Sequence, residues 1–391
     1  MLPFRDERAM SESTSPSSSD RIGRVPRKLW LSDDDFQSEM LKGVSRTFAL
    51  TIPQLPTELC RVVSNAYLLC RIVDTIEDEP VLSGAQKNFF CQQFVKTLSV
   101  GRNAEPFSRQ LCASLSSQTP PAEHDLIRNV PRVIRITRGF SEPQREALQQ
   151  CVRAMAKGMS QFQLRGEKQG LRNSKDLDQY CYYVAGVVGE MLTRLFCLYS
   201  PEVAKQHDAL MALAVSFGQG LQMTNILKDV WEDYRQGACW LPRKIFAEEG
   251  FNLSDLTNGQ DRGGFERGIQ RLVGIAHYHL RNALAYSLLI PKHETGVRNF
   301  CLWAIGLAVL TLRKINNHLD YTDGNRVKIS RLSVKGTIFA TELTRQNETL
   351  LKLLFYFAAW PLPLEPHPTG QSSQAPRPDR ANRALWVHRT V

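Results

Sequence analysis

Two segments of the 391-residue chain place carboxylates where packing alone would not ask for them. The first reads Tyr67-Leu-Leu-Cys-Arg71-Ile-Val-Asp74-Thr-Ile-Glu77-Asp78. The second reads Gln222-Met-Thr-Asn225-Ile-Leu-Lys228-Asp229-Val-Trp-Glu232-Asp233. On a helix, at about 100° per residue, Tyr67, Arg71, Asp74 and Asp78 fall within about 60° of one another. Gln222, Asn225, Asp229 and Asp233 form a second narrow polar stripe. The other faces are apolar: Leu69, Ile72, Val73 and Ile76 in one, Ile226, Leu227, Val230 and Trp231 in the other. Such a stripe faces something wet inside the protein. Carboxylates one turn apart repel by a few tenths of a kcal/mol on an exposed helix, and burial tends to keep one of them protonated. A divalent cation removes the conflict. Mg²⁺ takes hard oxygen ligands, keeps several waters and favours one or two carboxylates plus phosphate. Two stripes facing one cavity would make a diphosphate site. The alternative is a pair of solvated acidic faces, which accounts less well for two motifs that each carry basic or uncharged polar groups one turn upstream.

The elements that must hold these stripes read as helices. Apolar residues recur at three- and four-residue spacing over Glu58–Ile76, Gln144–Gln163, Leu177–Leu198, His207–Tyr234, Phe265–Leu289 and Gly296–His318. Breakers separate them at Pro53, Pro56, Pro120–Pro121, Ser141–Pro143, Gly237, Pro242 and Pro291. Strand-like alternation is scarce and no fixed repeat is present. The pattern predicts one all-α domain over residues 30–360, with long helices around a central cavity. Residues 1–29, rich in Ser, Arg, Asp and Pro, lack the apolar core of a signal peptide and read as a disordered leader. Residues 361–391 read as a disordered tail. Leu350–Leu364 is too short and too interrupted to span a bilayer. It reads as a buried last helix, with peripheral membrane contact as the alternative.

Composition narrows the partners. With 42% hydrophobic and 23% charged residues, the chain can bury a large core. A net charge of +10 suits a polyanionic partner. The basic residues are dispersed, however, and no nucleic-acid-binding signature accompanies them, so an anionic substrate or lipid is expected and nucleic acid is not. Nine cysteines without a CxxC pair point to reduced, buried thiols in the cytoplasm and not to a zinc site.

Asp74-Thr-Ile-Glu-Asp78 and Asn225-Ile-Leu-Lys-Asp229-Val-Trp-Glu-Asp233 resemble the two aspartate-rich motifs of the squalene/phytoene synthase family. Tyr180-Cys-Tyr-Tyr-Val-Ala-Gly-Val-Val-Gly189 is similar to its YCxYVAGxVG segment, and Ser45-Arg-Thr-Phe48 to its SRSF element. The four occur in order, and the match runs from about residue 41 to residue 331. The resemblance implies the isoprenoid synthase helical bundle and a Mg²⁺-dependent prenyltransferase, with Mn²⁺ as a substitute metal. Asp74, Asp78, Asp229 and Asp233 would bind the metal, with Glu77 and Glu232 as further donors. Arg46, Arg71, Gln222 and Lys228 would contact substrate diphosphate. Tyr67, Arg71 and Tyr180 would act in catalysis, although core packing with a bonded hydroxyl also explains either tyrosine. Val184, Val188, Leu192 and Phe217 would line an apolar wall, and Gly186 and Gly189 would allow close approach of a helix or of substrate.

The implied reaction joins two farnesyl diphosphates head to head through presqualene diphosphate. It then reduces that intermediate with NADPH to squalene. The reductive half is carried by Phe300-Cys301, Asn316-Asn317 and Val327-Lys-Ile-Ser-Arg331, similar to the FC…NN…VKIR region of reductive members. Asn225, Lys328 and Arg331 would contact NADPH. The sequence departs from that pattern at Ala304, Ser330, Lys228 and Trp240, the last opening a Trp-Leu-Pro closer to the YLP of phytoene synthases. Alternatives are a non-reductive relative making presqualene diphosphate, dehydrosqualene or phytoene, and a non-catalytic assembly or binding relative. A monomer is expected, in the cytoplasm or peripheral at a membrane.

Overall fold

The computed structural model describes residues 32–100, 103–162, 169–256 and 262–365. Its longer helices are, in chain order, α1 (Asp33–Val44), α2 (Thr57–Asp78), α3 (Gly84–Val100), α4 (Glu142–Phe162), α5 (Ser174–Cys181), α6 (Val187–Tyr199), α7 (His207–Arg235), α8 (Gly263–Leu289), α9 (Thr295–Asn316), α10 (Arg331–Thr344) and α11 (Glu348–Ala359). Among the described residues there is no strand, only an isolated bridge between Leu171 and Pro242.

Local chemistry sets the helix starts. The Ser32 hydroxyl accepts the Asp35 N–H at 3.0 Å, and Asp33–Asp35 lie against the positive end of the α1 dipole. Asn173, Ser330 and Asn347 cap α5, α10 and α11 in the same way. The predicted breakers fall at helix boundaries: Pro143 in the first turn of α4, Gly237 at positive φ after α7, Pro291 after α8. Leu177–Leu198, expected as one helix, is α5 and α6 joined through a π-helical turn at Tyr182–Gly186. Such turns concentrate at functional sites.

The buried side chains form two main cores, one from α1–α4 and α6, the other centred on α7–α9. Tyr183, Val184 and Phe217 are half-buried and touch both. These three residues mark where the two cores of the bundle meet. Close backbone contact holds this junction. A Cβ on Gly189 would lie 2.2 Å from the Ala214 carbonyl oxygen, and one on Gly218 2.2 Å from that of Ala185. Gly189 therefore serves helix approach, not substrate approach.

Ser174–Tyr199 and Thr295–Asn316 are long and apolar enough to cross a membrane by length and composition. Both are packed into the bundle, α9 deeply, so neither feature argues for a span. The expectation of a buried last helix needs correction. On α11 only Leu351 and Ala359 are buried, because the helix is packed along one edge, against α9 and α10. Packing also continues past residue 360: Leu362 is buried, and the Asn316 amide donates to the Pro361 carbonyl at 3.1 Å. The leader 1–29 and residues 366–391 lie outside the described residues.

Candidate active site

The first acidic stripe occupies the last three turns of α2. Asp74 keeps 26% of its side chain exposed, while Leu69, Ile72, Val73 and Ile76 are buried behind it. Arg71 reaches Asp74 at 4.0 Å and also donates to Glu123. Glu123 is buried on a short helix, Pro121–Arg128, and its other oxygen accepts the Thr75 hydroxyl at 2.9 Å. Burial opposes the Arg71 charge, but Asp74 and Glu123 outweigh it and raise its pKa. The guanidinium is thus a fixed cation. Burial pushes Asp74 up to about 7; Arg71 resists this, and Asp78, Glu123 and Glu77 add to it. Asp78 itself is exposed at the end of the stripe.

The second stripe lies on α7 and is more open. Lys228 pairs with Asp229 at 3.0 Å and donates to Asn225 at 3.3 Å. Asn225 and Glu232 are exposed; Gln222, Lys228, Asp229 and Asp233 are half-buried. Burial pushes Asp233 up to about 7, with Asp229, Asp78 and Glu232 adding to it and Lys228 opposing. Asp78 on α2 thus acts on Asp233 on α7, so the two stripes share one electrostatic site.

Tyr180 lies within electrostatic reach of both. It is buried, stacks on Trp240 with centroids 4.0 Å apart and planes 8° apart, and meets Phe162 edge-on at 5.7 Å. Burial raises its pKa well above the phenol range, and Asp78, Asp233 and Asp74 add to the shift. The hydroxyl therefore keeps its proton and can act as a hydrogen-bond donor.

The other predicted residues are dispersed. Tyr67 donates its hydroxyl to the Val44 carbonyl at 3.2 Å and packs beside Phe48 at 5.3 Å, which ties α2 to the Ser45–Phe48 element. Arg46 and Arg331 are exposed and pair with no stripe residue. Lys328 follows a short turn, Gly324–Val327, that presses on α7: a Cβ on Gly324 would come within 2.9 Å of the Lys228 carbonyl oxygen. The Tyr321 hydroxyl donates to the Leu227 carbonyl and holds that turn in place. Phe300 and Cys301 are core residues, with Phe300 edge-on to Phe196. Among the described residues no three His, Cys, Asp or Glu side chains form a ready-made metal cage.

Two residues of the site escaped the sequence reading as partners. Glu123 lies 52 positions from Arg71, in a segment with no pattern of its own. Trp240 was visible as a motif variant, but its stack on Tyr180 depends on the bridge that brings Pro242 to Leu171.

The squalene/phytoene synthase model matches residues 41–333. Squalene synthase ERG9 of Gibberella zeae is 29% identical over 296 residues, covering 74% of this chain and 60% of that protein. Squalene synthase BSS of Botryococcus braunii is 27% identical over 318 residues, covering 79% and 64%. The chain thus spans about three-fifths of the length of these curated relatives. A solved structure, TcSQS with the ligand BPH1237, shares the fold at a TM-score of 0.70 and 23% identity, over 88% of this chain and 93% of that one. The four motifs, the all-α bundle and a match across most of the sequence lead to one conclusion: this chain belongs to the squalene/phytoene synthase family.

Proposed function

We propose that the site formed by the two stripes joins two farnesyl diphosphates head to head and reduces the presqualene diphosphate so formed to squalene. One observation carries this reading: two acidic stripes from separate helices act on each other and on a buried tyrosine that keeps its proton. The naming of relatives as squalene synthases supports the choice of reaction.

The donor set fits Mg²⁺. It is all hard oxygen, two of its carboxylates resist ionising without a cation, and Mg²⁺ needs no closed protein cage because it retains water and takes diphosphate oxygens. Asp74, Asp78, Asp229 and Asp233 would hold it, with Glu77 and Glu232 nearby and Mn²⁺ as a substitute. When bound, Mg²⁺ supplies Lewis acidity at the leaving diphosphate. Arg71, anchored by Glu123, offers charge-assisted hydrogen bonds to the same oxygens. Gln222 and Lys228 would extend that polar rim from α7, and Arg46, on the element that Tyr67 ties to α2, would join it. The Tyr180 hydroxyl donates toward the departing group. Val184, Val188, Leu192 and Phe217 keep water from the allylic cation. The first half releases one diphosphate and one proton; the second releases the remaining diphosphate.

Lys328 and Arg331 would bind the phosphates of NADPH and Asn225 its nicotinamide end, and NADPH supplies the hydride. The Gly324–Val327 turn supports this by bringing Lys328 beside the α7 stripe. We place the protein in the cytoplasm as a monomer, in peripheral contact with the membrane that receives its hydrocarbon product. The Trp240-Leu241-Pro242 segment favours the second reading, a non-reductive product. Farnesyl diphosphate, Mg²⁺ and purified protein, with and without NADPH, separate the two. We expect squalene with NADPH and presqualene diphosphate without it. A hydrocarbon unchanged by NADPH would defeat the reductive half, and no condensation product at all would defeat the whole proposal.

A further inference from the structure

Most of the large apolar side chains left exposed among the described residues lie between Leu332 and Leu364. On α10, Leu332, Phe339 and Leu343 stand at i, i+7 and i+11, one face of a helix, and are 80%, 70% and 74% exposed. On α11 and its C-cap, Leu353, Phe357 and Trp360 stand at i, i+4 and i+7, also on one face, and are all exposed. Residues 345–347 join the two helices, whose other faces pack on α9: Thr337 meets Gly306, and Leu351 shares a small core with Leu302. An exposed apolar surface of this extent marks an interaction site.

The chemistry of the margin identifies the partner. Arg331 and Lys335 flank the α10 face, outnumbering the one acid on that flank, Glu342, and Lys352 flanks the α11 face, all exposed. Beyond Glu365 the sequence carries Arg377, Arg380, Arg383 and Arg389 against one acid, Asp379. Leucine and aromatic side chains on one face, with lysine and arginine at the edges, are what a helix lying in a bilayer interface presents. A basic segment that follows such a helix in the sequence adds attraction to anionic headgroups, and two weak signals together give stable but reversible attachment.

We propose that the joined faces of α10 and α11 dock on an anionic lipid bilayer, inserting Phe339, Phe357 and Trp360 at the level of the headgroups. The face is read from exposure and charge; its purpose rests on the peripheral contact inferred above. The test contains no substrate, so its failure and the failure of the proposed reaction are separate results.

The full chain is sedimented with phosphatidylcholine vesicles, with and without phosphatidylserine. Binding is expected to require phosphatidylserine, to weaken with salt, and to fall about tenfold or more in Phe357→Glu/Trp360→Glu. Both side chains are exposed, so that variant should keep its circular dichroism and basal turnover. Phe339→Ser, on the other helix, should lower binding independently. Equal sedimentation of wild type and variants overturns the proposal. So does binding that appears only when the chain is ended at Glu365, which would mean that the tail covers the face. A dimer that Phe357→Glu/Trp360→Glu converts to monomer, with no vesicle binding by either, would assign the face to a second copy and also overturn it.

Discussion

The two acidic stripes carry the same motif but are held differently. On α2 the cation, Arg71, is clamped from behind by a buried acid, Glu123, which also binds Thr75. On α7 the cation is Lys228, which among the described residues bonds along its own helix to Asp229 and Asn225. The first arrangement fixes a charge in place before any ligand arrives. The second leaves a flexible ammonium on a half-open face. The difference makes α2 a rigid cationic and acidic face and α7 one whose cation, among the described residues, is held only from its own helix.

The sharpest way to break this contrast is to remove one carboxylate from each stripe. Asp78→Asn is expected to lower turnover about a thousandfold and Asp229→Asn about a hundredfold, the range seen when a preorganised electrostatic partner is lost. The α7 loss should be partly recovered at raised Mg²⁺, since the cation on that side is held along its own helix. Steady-state rates across a Mg²⁺ titration measure both. Equal losses with equal metal dependence would erase the distinction between the stripes.

Much of this was legible in the chain. Five of the six apolar segments are single helices with boundaries shifted by only a few residues, because their periodicity is strong and Pro and Gly punctuate their ends, while Leu177–Leu198 is broken by its π-helical turn. The polar stripes were legible too, since a helix turns residue spacing into a face. What sequence could not give were relations between distant segments. Nothing near Glu123 marks it as the partner of Arg71, and nothing in Trp240 indicates a stack on Tyr180. The buried α11 was a wrong expectation for a related reason: apolar content reports what could be buried, while the neighbours decide what is.

Glu123→Gln against Lys228→Met sharpens the comparison at a smaller scale. Glu123→Gln takes from Arg71 the counter-charge it is hydrogen-bonded to in a largely buried setting, and losing one partner of such a pair costs about 3 kcal/mol. Turnover should fall with it, since Arg71 is free to collapse onto Asp74. Lys228→Met removes an ion pair that water already screens, at a stability cost of about 0.5 kcal/mol or less. Chemical denaturation of both variants, paired with KM and kcat, tests this. A split in which the lysine variant loses more stability than the glutamate variant would reverse the assignment of the rigid site.

The smallest expected effect is the most specific to charge. In the folded chain Asp74 titrates at about 7, against an ordinary value of 3.8. Between those values the folded state holds a proton that the unfolded state has released, so stability must fall as pH rises through this window. Below pH 4 the contribution is fully present; above pH 7 it is gone. The full shift would correspond to about 4 kcal/mol, but Asp74 keeps 26% of its side chain exposed, and solvent reduces the penalty to about 1 kcal/mol. Asp74→Asn removes the ionisation. Without metal at pH 8 it should therefore raise Tm by roughly 2 °C, and at pH 4 it should leave Tm unchanged. The gain should vanish when Mg²⁺ and diphosphate are added, because the wild type then recovers what the charge had cost. A variant equally stabilised at both pH values would show that the asparagine acts through packing, and the electrostatic account of the α2 stripe would not survive it.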